Sequence, residues 1–195
     1  MHTAGFVLVG GRSSRMGQDK ARLPVEAHLL VEEVAATVAS ITGNVALVGE
    51  SQRYRDLSWD LIDDLHPCCG PLGGIQAALA SRRGYWNAVV ACDMPGLNSA
   101  CLAELIHKAH DPNASRCLVC RDVTGRVHPL CSLWRADCLP VVELALIRGR
   151  LRLFDVLDDL NAGYVDMTER IHNVNTPDEW AAWRKHHLTE ALGPR

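Results

Sequence analysis

Three cations are spaced through one short glycine-containing loop near the start of the chain. The segment reads Gly10-Gly11-Arg12-Ser13-Ser14-Arg15-Met16-Gly17-Gln18-Asp19-Lys20, and Arg12, Arg15 and Lys20 set against Asp19 leave it locally +2. Small residues let backbone come close to a ligand, and backbone amides joined by two or three cations suit the oxygens of a triphosphate. The loop is not a Walker A sequence, because Gly17 is followed by Gln18 and no Lys-Ser/Thr pair closes it. Nor is it a dinucleotide fingerprint, since the three-glycine spacing fails. An ordinary strand-to-helix loop with solvated charges would share the glycines. The clustering of cations in an acidic chain is what raises the loop to a candidate site.

A second candidate is Asp93, which follows the apolar run Ala88-Val89-Val90-Ala91-Cys92 and precedes Met94-Pro95. Open α/β sheets bind ligands outside the carboxyl ends of their strands, so a carboxylate there is placed to hold a magnesium ion bridging phosphate oxygens. The alternative is an Asp that caps the turn before Pro95. Asp63-Asp64 end another run and make a second acidic corner on the same edge of a parallel sheet. The third candidate is Gly70-Pro71-Leu72-Gly73-Gly74-Ile75, a helix start with two internal glycines. Each such glycine costs about 1 kcal/mol relative to Ala, so the pair marks the close approach of a ligand base or of a neighbouring strand.

Other chemistries find little footing. Cys117-Leu118-Val119-Cys120 has zinc or redox spacing, but it lies in an apolar run that reads as a strand. Positions i and i+3 of a strand face opposite ways, so the two thiols cannot share one ion. The eight cysteines are expected to be packed thiols. His107 with His110, and His186-His187, lack carboxylates or thiols at ligand spacing and read as solvated.

The chain has 195 residues, 20 Lys plus Arg against 23 Asp plus Glu, and a net charge of -3, which argues against nucleic acid or an anionic membrane as main partner. Any phosphate must be held by a few placed groups. No apolar run approaches the roughly 20 residues of a membrane helix, and the first residues lack a basic segment and a cleavage site. A cytoplasmic protein is expected.

The elements that must position these residues follow from periodicity. Residues 4–9 are a short apolar run ending at Gly10-Gly11, as in a strand buried on both faces. A helix is expected over 28–40, strands over 44–48 and 59–62, a helix from 70 to about 82, a strand over 87–92 and a helix over 99–109. Strands over 116–121 and 127–134 flank a turn at Gly125, and helices are expected over 136–148 and 151–160. Thr176-Pro177-Asp178-Glu179 opens the last helix, with Thr176 as N-cap, Pro177 at the first position and Glu179 completing a capping box. Trp180 and Trp183, three apart on that helix, are expected in the core. Strands alternating with helices predict βαβ units, a mainly parallel sheet and one α/β domain over 1–195, with a tail from about residue 188.

Five segments occur in an order that resembles a known family. These are Leu8-Val9-Gly10-Gly11 through Arg15-Met16-Gly17 to Asp19-Lys20, Gly70 to Ile75, Cys92-Asp93-Met94-Pro95, His128-Pro129-Leu130 and Asn173-Val174-Asn175-Thr176-Pro177. The chain resembles the MobA-like nucleotidyltransferases, and the Asn-Val-Asn-Thr-Pro segment tilts it toward the molybdenum cofactor guanylyltransferases. The resemblance implies a Rossmann-like three-layer sandwich of the nucleotide-diphospho-sugar transferase type with a mostly parallel mixed sheet. It implies transfer of GMP from GTP to molybdenum-loaded molybdopterin, with magnesium as cofactor and pyrophosphate as product. By the same resemblance Leu8, Val9, Gly10 and Gly11 line the nucleotide site, Arg15 and Lys20 meet the phosphates, Asp64 contacts the nucleotide and Asp93 holds magnesium. Gly73, His128, Asn173 and Asn175 are expected at the acceptor. Transient contact with molybdenum-insertion proteins and recipient molybdoenzymes is also implied. Two positions depart from the pattern. Val9 replaces an Ala, and Val48-Gly49-Glu50 stands where some relatives carry an Asn on the nucleotide. That departure leaves CTP as an alternative to GTP, and a nucleotide-binding cofactor carrier is the non-enzymatic alternative.

Overall fold

The sheet is organised around a first strand that alternates large and small apolar side chains into two separate cores. In the computed structural model, which describes residues 2–10 and 16–191 with the last four as backbone only, β1 spans Thr3–Leu8. Ala4 and Phe6 enter one core and Val7 enters the other, all three fully buried. β4 (Val45–Gly49) pairs parallel to β1 on one side, and β6 (Trp86–Ala91) pairs parallel on the other. Every residue of β4 and β6 is buried, as expected of continuous apolar strands covered on both faces.

β5 (Asp60–Asp63) adds outside β4, while β8 (Val127–Arg135), β7 (Cys117–Arg121) and β9 (Gly163–Asp166) extend the sheet beyond β6. The seven-strand order is β5-β4-β1-β6-β8-β7-β9, with β8 antiparallel to both neighbours and the other pairings parallel. Helices α1 (Leu30–Thr42), α3 (Ser99–Lys108) and α6 (Pro177–Ala191) cover one face. Helices α2 (Pro71–Ala80), α4 (Leu139–Ile147) and α5 (Leu153–Asp159) cover the other. This is the expected three-layer α/β sandwich with a mostly parallel mixed sheet.

The expected elements are present with ends moved by one to three residues, and two additions change the reading. A two-residue hairpin, β2 (Pro24–Val25) with β3 (His28–Leu29), takes the first residues assigned to a helix from 28. β9 falls where no strand was expected, because an edge strand with one buried residue, Val165, carries almost no hydrophobic alternation. The helix expected over 136–148 opens as a single 3-10 turn, Ala136–Cys138, before α4. α6 continues as helix to Ala191, past the expected start of a tail.

Cys117 packs among the side chains of the α2, α4 and α5 face, and Cys120 among those of the opposite face. Strand geometry therefore separates the two thiols as expected. Burial pushes Cys101 and Cys138 up to about 11, so these thiols stay protonated and act as packing. Trp180 and Trp183 are buried in the core and stack with ring centroids 5.3 Å apart. Among the described residues, no helix is long and apolar enough to cross a membrane.

Gly49, at the end of β4, is fixed by a close approach. A Cβ there would overlap the Val9 carbonyl oxygen, because Val9 donates its N–H to the Val48 carbonyl at 2.8 Å as the chain leaves β1. Asp64 in turn donates its N–H to the Gly49 carbonyl at 3.0 Å. Position 49 is thus closed to any side chain by backbone.

Candidate active site

The connection out of β1 goes to one side of the sheet, through α1 to β4, and the connection into β6 returns to the other side. The crevice between the ends of β1 and β6 is therefore the topological switch point, where open α/β sheets bind ligands. Lys20 and Asp93 meet there. Lys20 Nζ donates to Asp93 Oδ2 at 3.2 Å, and their side chains keep 18% and 19% of their exposure. A solute entering the crevice can therefore reach both.

Lys20 is aimed by its predecessor. Asp19 caps the 3-10 turn Lys20–Arg22 by accepting from Ala21 N at 3.1 Å. The other Asp19 oxygen accepts from Arg53 Nη2 at 2.6 Å and from the buried Tyr54 hydroxyl at 2.9 Å. Burial raises the Tyr54 phenol well above its ordinary value, with the Asp19 charge adding to it, so Tyr54 stays a donor. Nothing in the spacing of residues 50–54 signalled this clamp. It exists only because β4 delivers the segment beside the loop.

Asp93 leaves β6 through Cys92, whose N–H donates to the Leu8 carbonyl at 3.1 Å. Burial, with the Asp93 charge second, pushes the Cys92 thiol up to about 12, so it is an inert neighbour. The Asp93 backbone carbonyl accepts from Val174 N at 2.9 Å. This bond docks the segment that follows β9, which crosses the carboxyl edge of the sheet from β7 toward β6. The crossing is anchored by Met167 N to Arg121 O at 2.8 Å and by Val123 N to Glu169 O at 3.3 Å.

The crossing segment delivers both asparagines. Asn175 Oδ1 accepts from Lys20 Nζ at 2.8 Å, and Asn173 Nδ2 donates to Asp93 Oδ1 at 3.2 Å. The capping box expected at α6 is formed, with Thr176 N donating to Glu179 Oε2 at 3.1 Å and Glu179 N to Thr176 Oγ1 at 3.2 Å. Glu179 Oε2 also accepts from Asn175 N at 2.6 Å, which holds the asparagine's backbone. The missed strand β9 is what carries Asn173 and Asn175 to the site.

The remaining expected residues are distributed more widely. Gly10, at φ +127°, continues from β1 into the loop. Gly11, Arg12 and Arg15 lie outside the described residues. Val9 is 3% exposed with its side chain in the core, so it offers a ligand only backbone. Leu8 is partly buried against the α2 side, where a Cβ on Gly74 would stand 3.0 Å from it. A Cβ on Gly73 would stand 2.6 Å from Asp64 Oδ1, so the space beside Gly73 is filled by a carboxylate rather than by an acceptor molecule. Asp64 itself accepts from His66 N at 2.7 Å, beyond β4 from the Lys20–Asp93 pair.

His128, expected at the acceptor, is 2% exposed and meets a ligand only through other groups. Its Nδ1 faces Asn173 Oδ1 at 2.9 Å and its Nε2 faces Asp122 Oδ2 at 2.9 Å. Asp122, 3% exposed, had no signal in the sequence beyond its place before the Gly125 turn. Burial opposes its ionisation, but bonds from Thr124, His128 and the amides of Thr124 and Arg126 outweigh burial and hold the carboxyl far below the usual range. A folded value below the unfolded one means stability that is present above about pH 4 and lost as pH falls through the carboxylate range. Asp122→Asn should therefore cost about 3 kcal/mol at neutral pH, as breaking a buried pair does. The gap to the parent protein should narrow in denaturant melts taken at progressively more acid pH; an unchanged gap would refute the assignment.

A cavity of about 360 Å³ opens beside this network, lined by Arg126, Arg170, His172, Asn173 and Val174 among others. The larger cavity, about 840 Å³ between α1 and α6, includes none of Lys20, Asp93, Asn173 or Asn175 and is set apart from the network.

Residues 5–162 match the MobA-like NTP transferase domain. The chain belongs to that family. A molybdenum cofactor guanylyltransferase of Xanthomonas euvesicatoria is 33% identical over 91% of this chain and 92% of its own length. Among solved structures, the molybdopterin-guanine dinucleotide biosynthesis protein A of Archaeoglobus fulgidus superposes with a TM-score of 0.80 at 22% identity, covering 95% of this chain and 99% of the other. A Mycobacterium tuberculosis protein solved in complex with manganese superposes with a TM-score of 0.71 at 19% identity, covering 93% and 97%. Such structural likenesses establish the MobA-like fold. The match ends at 162, so the segment bearing Asn173 and Asn175 lies beyond it.

Proposed function

We propose that this MobA-like chain transfers GMP from GTP to molybdenum-loaded molybdopterin and releases pyrophosphate. The observation that carries the reading is the pairing of Lys20 with Asp93 at the switch point, each bonded to an asparagine of the crossing segment. The guanylyltransferase relative that is 33% identical over nearly the whole chain supports the substrates.

A divalent cation fits the donor set in one way. Among the described residues no group of three or more His, Cys, Asp or Glu side chains could cage an ion. Asp93 carries two oxygens with about four acceptor positions, of which Lys20 and Asn173 take two. That leaves room for magnesium shared with substrate phosphates, the usual way this ion is bound. A Mycobacterium tuberculosis protein of the same fold was solved in complex with manganese, which supports a divalent ion. Bound there, magnesium would neutralise charge on the phosphates.

The residues of the chain do the rest. A terminal phosphate oxygen of the acceptor attacks the α-phosphorus of the nucleotide in line; the new P–O bond forms as the bond to the β-phosphate oxygen breaks, and pyrophosphate leaves with that electron pair. Two anions must meet, so the work is positioning and charge neutralisation. Lys20 supplies a cation on a flexible stem that can leave Asp93 for a phosphate oxygen. Asn175 holds the ammonium between the two positions. A phosphate nucleophile with a second pKa of about 6 needs no general base, and none of the site's groups is asked to be one. Such a protein is a small-molecule enzyme of the cytoplasm, whose contact with molybdenum-insertion and recipient proteins is transient.

Incubation with molybdenum-loaded molybdopterin, magnesium and either GTP or CTP should release pyrophosphate with GTP. Release with CTP alone would move the assignment to a cytidylyltransferase. Release with neither, alongside measurable nucleotide binding, would leave a carrier.

A further inference from the structure

We infer that Asp122 and His128 are positioning residues for Asp93, acting through the amide of Asn173. The inference rests on the transfer reading for its kinetic consequence, though not for its chemistry. Four side chains form one file: Asp122 Oδ2 to His128 Nε2 at 2.9 Å, His128 Nδ1 to Asn173 Oδ1 at 2.9 Å, and Asn173 Nδ2 to Asp93 Oδ1 at 3.2 Å.

The direction of the bonds fixes what each member does. Asp93 is an acceptor, so the Asn173 amide must present its NH2 to it and its oxygen to His128. A reversed amide would set oxygen against carboxylate. His128 then faces an acceptor on both sides, Asn173 Oδ1 and Asp122 Oδ2, and it can bond both only with a proton on each ring nitrogen. A ring with a proton on each nitrogen spans the two acceptors, and it selects one of the two orientations that an amide beside the crevice could take.

Asp122 is immobilised in its turn. Its Oδ1 accepts from Thr124 Oγ1 at 2.5 Å, Thr124 N at 2.9 Å and Arg126 N at 3.2 Å, and its Oδ2 also accepts from Ile171 N at 3.4 Å. One carboxylate thus ties the turn after β7, the ring on β8 and the crossing segment that carries Asn173. The side chains of Asp122 and His128 are each 1% exposed, so neither touches a substrate. A buried ion pair is often no more stabilising than well-packed apolar residues of the same volume, so stability is weak grounds for placing one here. Orientation of Asp93 is a better reason. One of its oxygens is held by a fixed file and the other by the movable Lys20, which leaves the carboxylate plane set when Lys20 turns to a phosphate.

The test is a double-mutant cycle on His128→Gln and Asn173→Ala, read with GTP, molybdenum-loaded molybdopterin and magnesium. Gln fills much of the space but offers donors at one end only. His128→Gln should lower kcat about tenfold, the range of outer-shell substitutions, with the nucleotide KM changed by less than about twofold. In the Asn173→Ala background the same substitution should lower kcat by less than about twofold, because its route to Asp93 is already cut. A second tenfold loss there would overturn the inference. Nitrogen NMR of histidine-labelled resting protein, without nucleotide or metal, reads the file directly and survives a variant that fails to fold. One buried ring should carry protons on both nitrogens, and its resonances should move in Asn173→Ala. A His128 ring with one proton would overturn the file. A parent protein that releases pyrophosphate from neither nucleotide would sink the transfer reading while the ring signals still decide the file.

Discussion

Asp93→Ala lowers kcat by about a thousandfold, to a residual rate that only long incubations read, while unfolding stays cooperative. The size follows from the charges. A site that brings together two phosphate groups needs a fixed anion to hold a cation between them, and charge stabilisation of that kind amounts to several kcal/mol, each 1.36 kcal/mol being tenfold in rate. Asp93 is the carboxylate at the switch point that Lys20 and the crossing segment converge on, so no neighbour in that network can replace it. The fold should tolerate the change. The Asp93 side chain retains 19% of its exposure, and the Val174 bond that docks the crossing segment uses the backbone carbonyl, which Ala preserves. Loss of a partly exposed pair costs about 1 kcal/mol or less. Asp93→Asn separates geometry from charge, because it keeps the shape and loses the anion. It should be as inactive as the Ala variant. Wild-type-like turnover in either would show that the cation is held elsewhere.

What could be read from the residues before the fold was known divides along a physical line. Local signals were legible: the strand ending at Gly10, Asp93 just after a buried strand, and the Thr176–Glu179 capping box all appear as expected, because each is dictated by neighbours within a few positions. The separation of Cys117 from Cys120 was legible for the same reason, since strand alternation is local. The groups that act over long sequence distance were not. Asp19 is clamped by Arg53 and Tyr54, more than thirty positions on, and that contact depends on where β4 comes to rest. Asp122 carries no signal in the sequence, because its local bonds, to Thr124 and Arg126, are those of any turn. Its bond to the Ile171 amide exists only because β9, an edge strand with a single buried residue, turns the chain back over the sheet. The glycines at 73 and 74 signal the close approach of either a ligand or a neighbouring element, without saying which. At Gly73 the room is real, but Asp64 from the end of β5 fills it, and only the parallel pairing of β5 with β4 brings that carboxylate there.

Lys20→Met should separate two properties that usually fall together. The substitution keeps an unbranched stem and removes the charge. Loss of one preorganised donor to developing phosphate charge lowers kcat by about 10²–10³-fold, or roughly 3–4 kcal/mol. Binding of manganese to the resting protein, followed by the electron-spin signal of the free ion, should go the other way. Lys20 Nζ sits 3.2 Å from Asp93 Oδ2 and so competes with any cation for that oxygen before nucleotide arrives. With Met there, the competitor is gone and manganese binds at least as tightly as to the parent. Lys20→Arg tests whether charge alone suffices. The ammonium reaches Asp93 at 3.2 Å and Asn175 at 2.8 Å as a compact point with three rotatable donors. A planar guanidinium must spread those contacts over a rigid fork, and its preference for a carboxylate would hold it on Asp93 rather than release it to a phosphate. Arg should therefore recover less than about a tenth of the lost rate, since its geometry suits the resting pair better than the transfer. Lys20→Met added to Asp93→Ala should lower turnover no further, because residues that act as a unit lose their effect together. If the double variant were slower than Asp93→Ala by the full Lys20 factor, the two would be serving different phosphates, and the pair seen in the crevice would be a resting contact only.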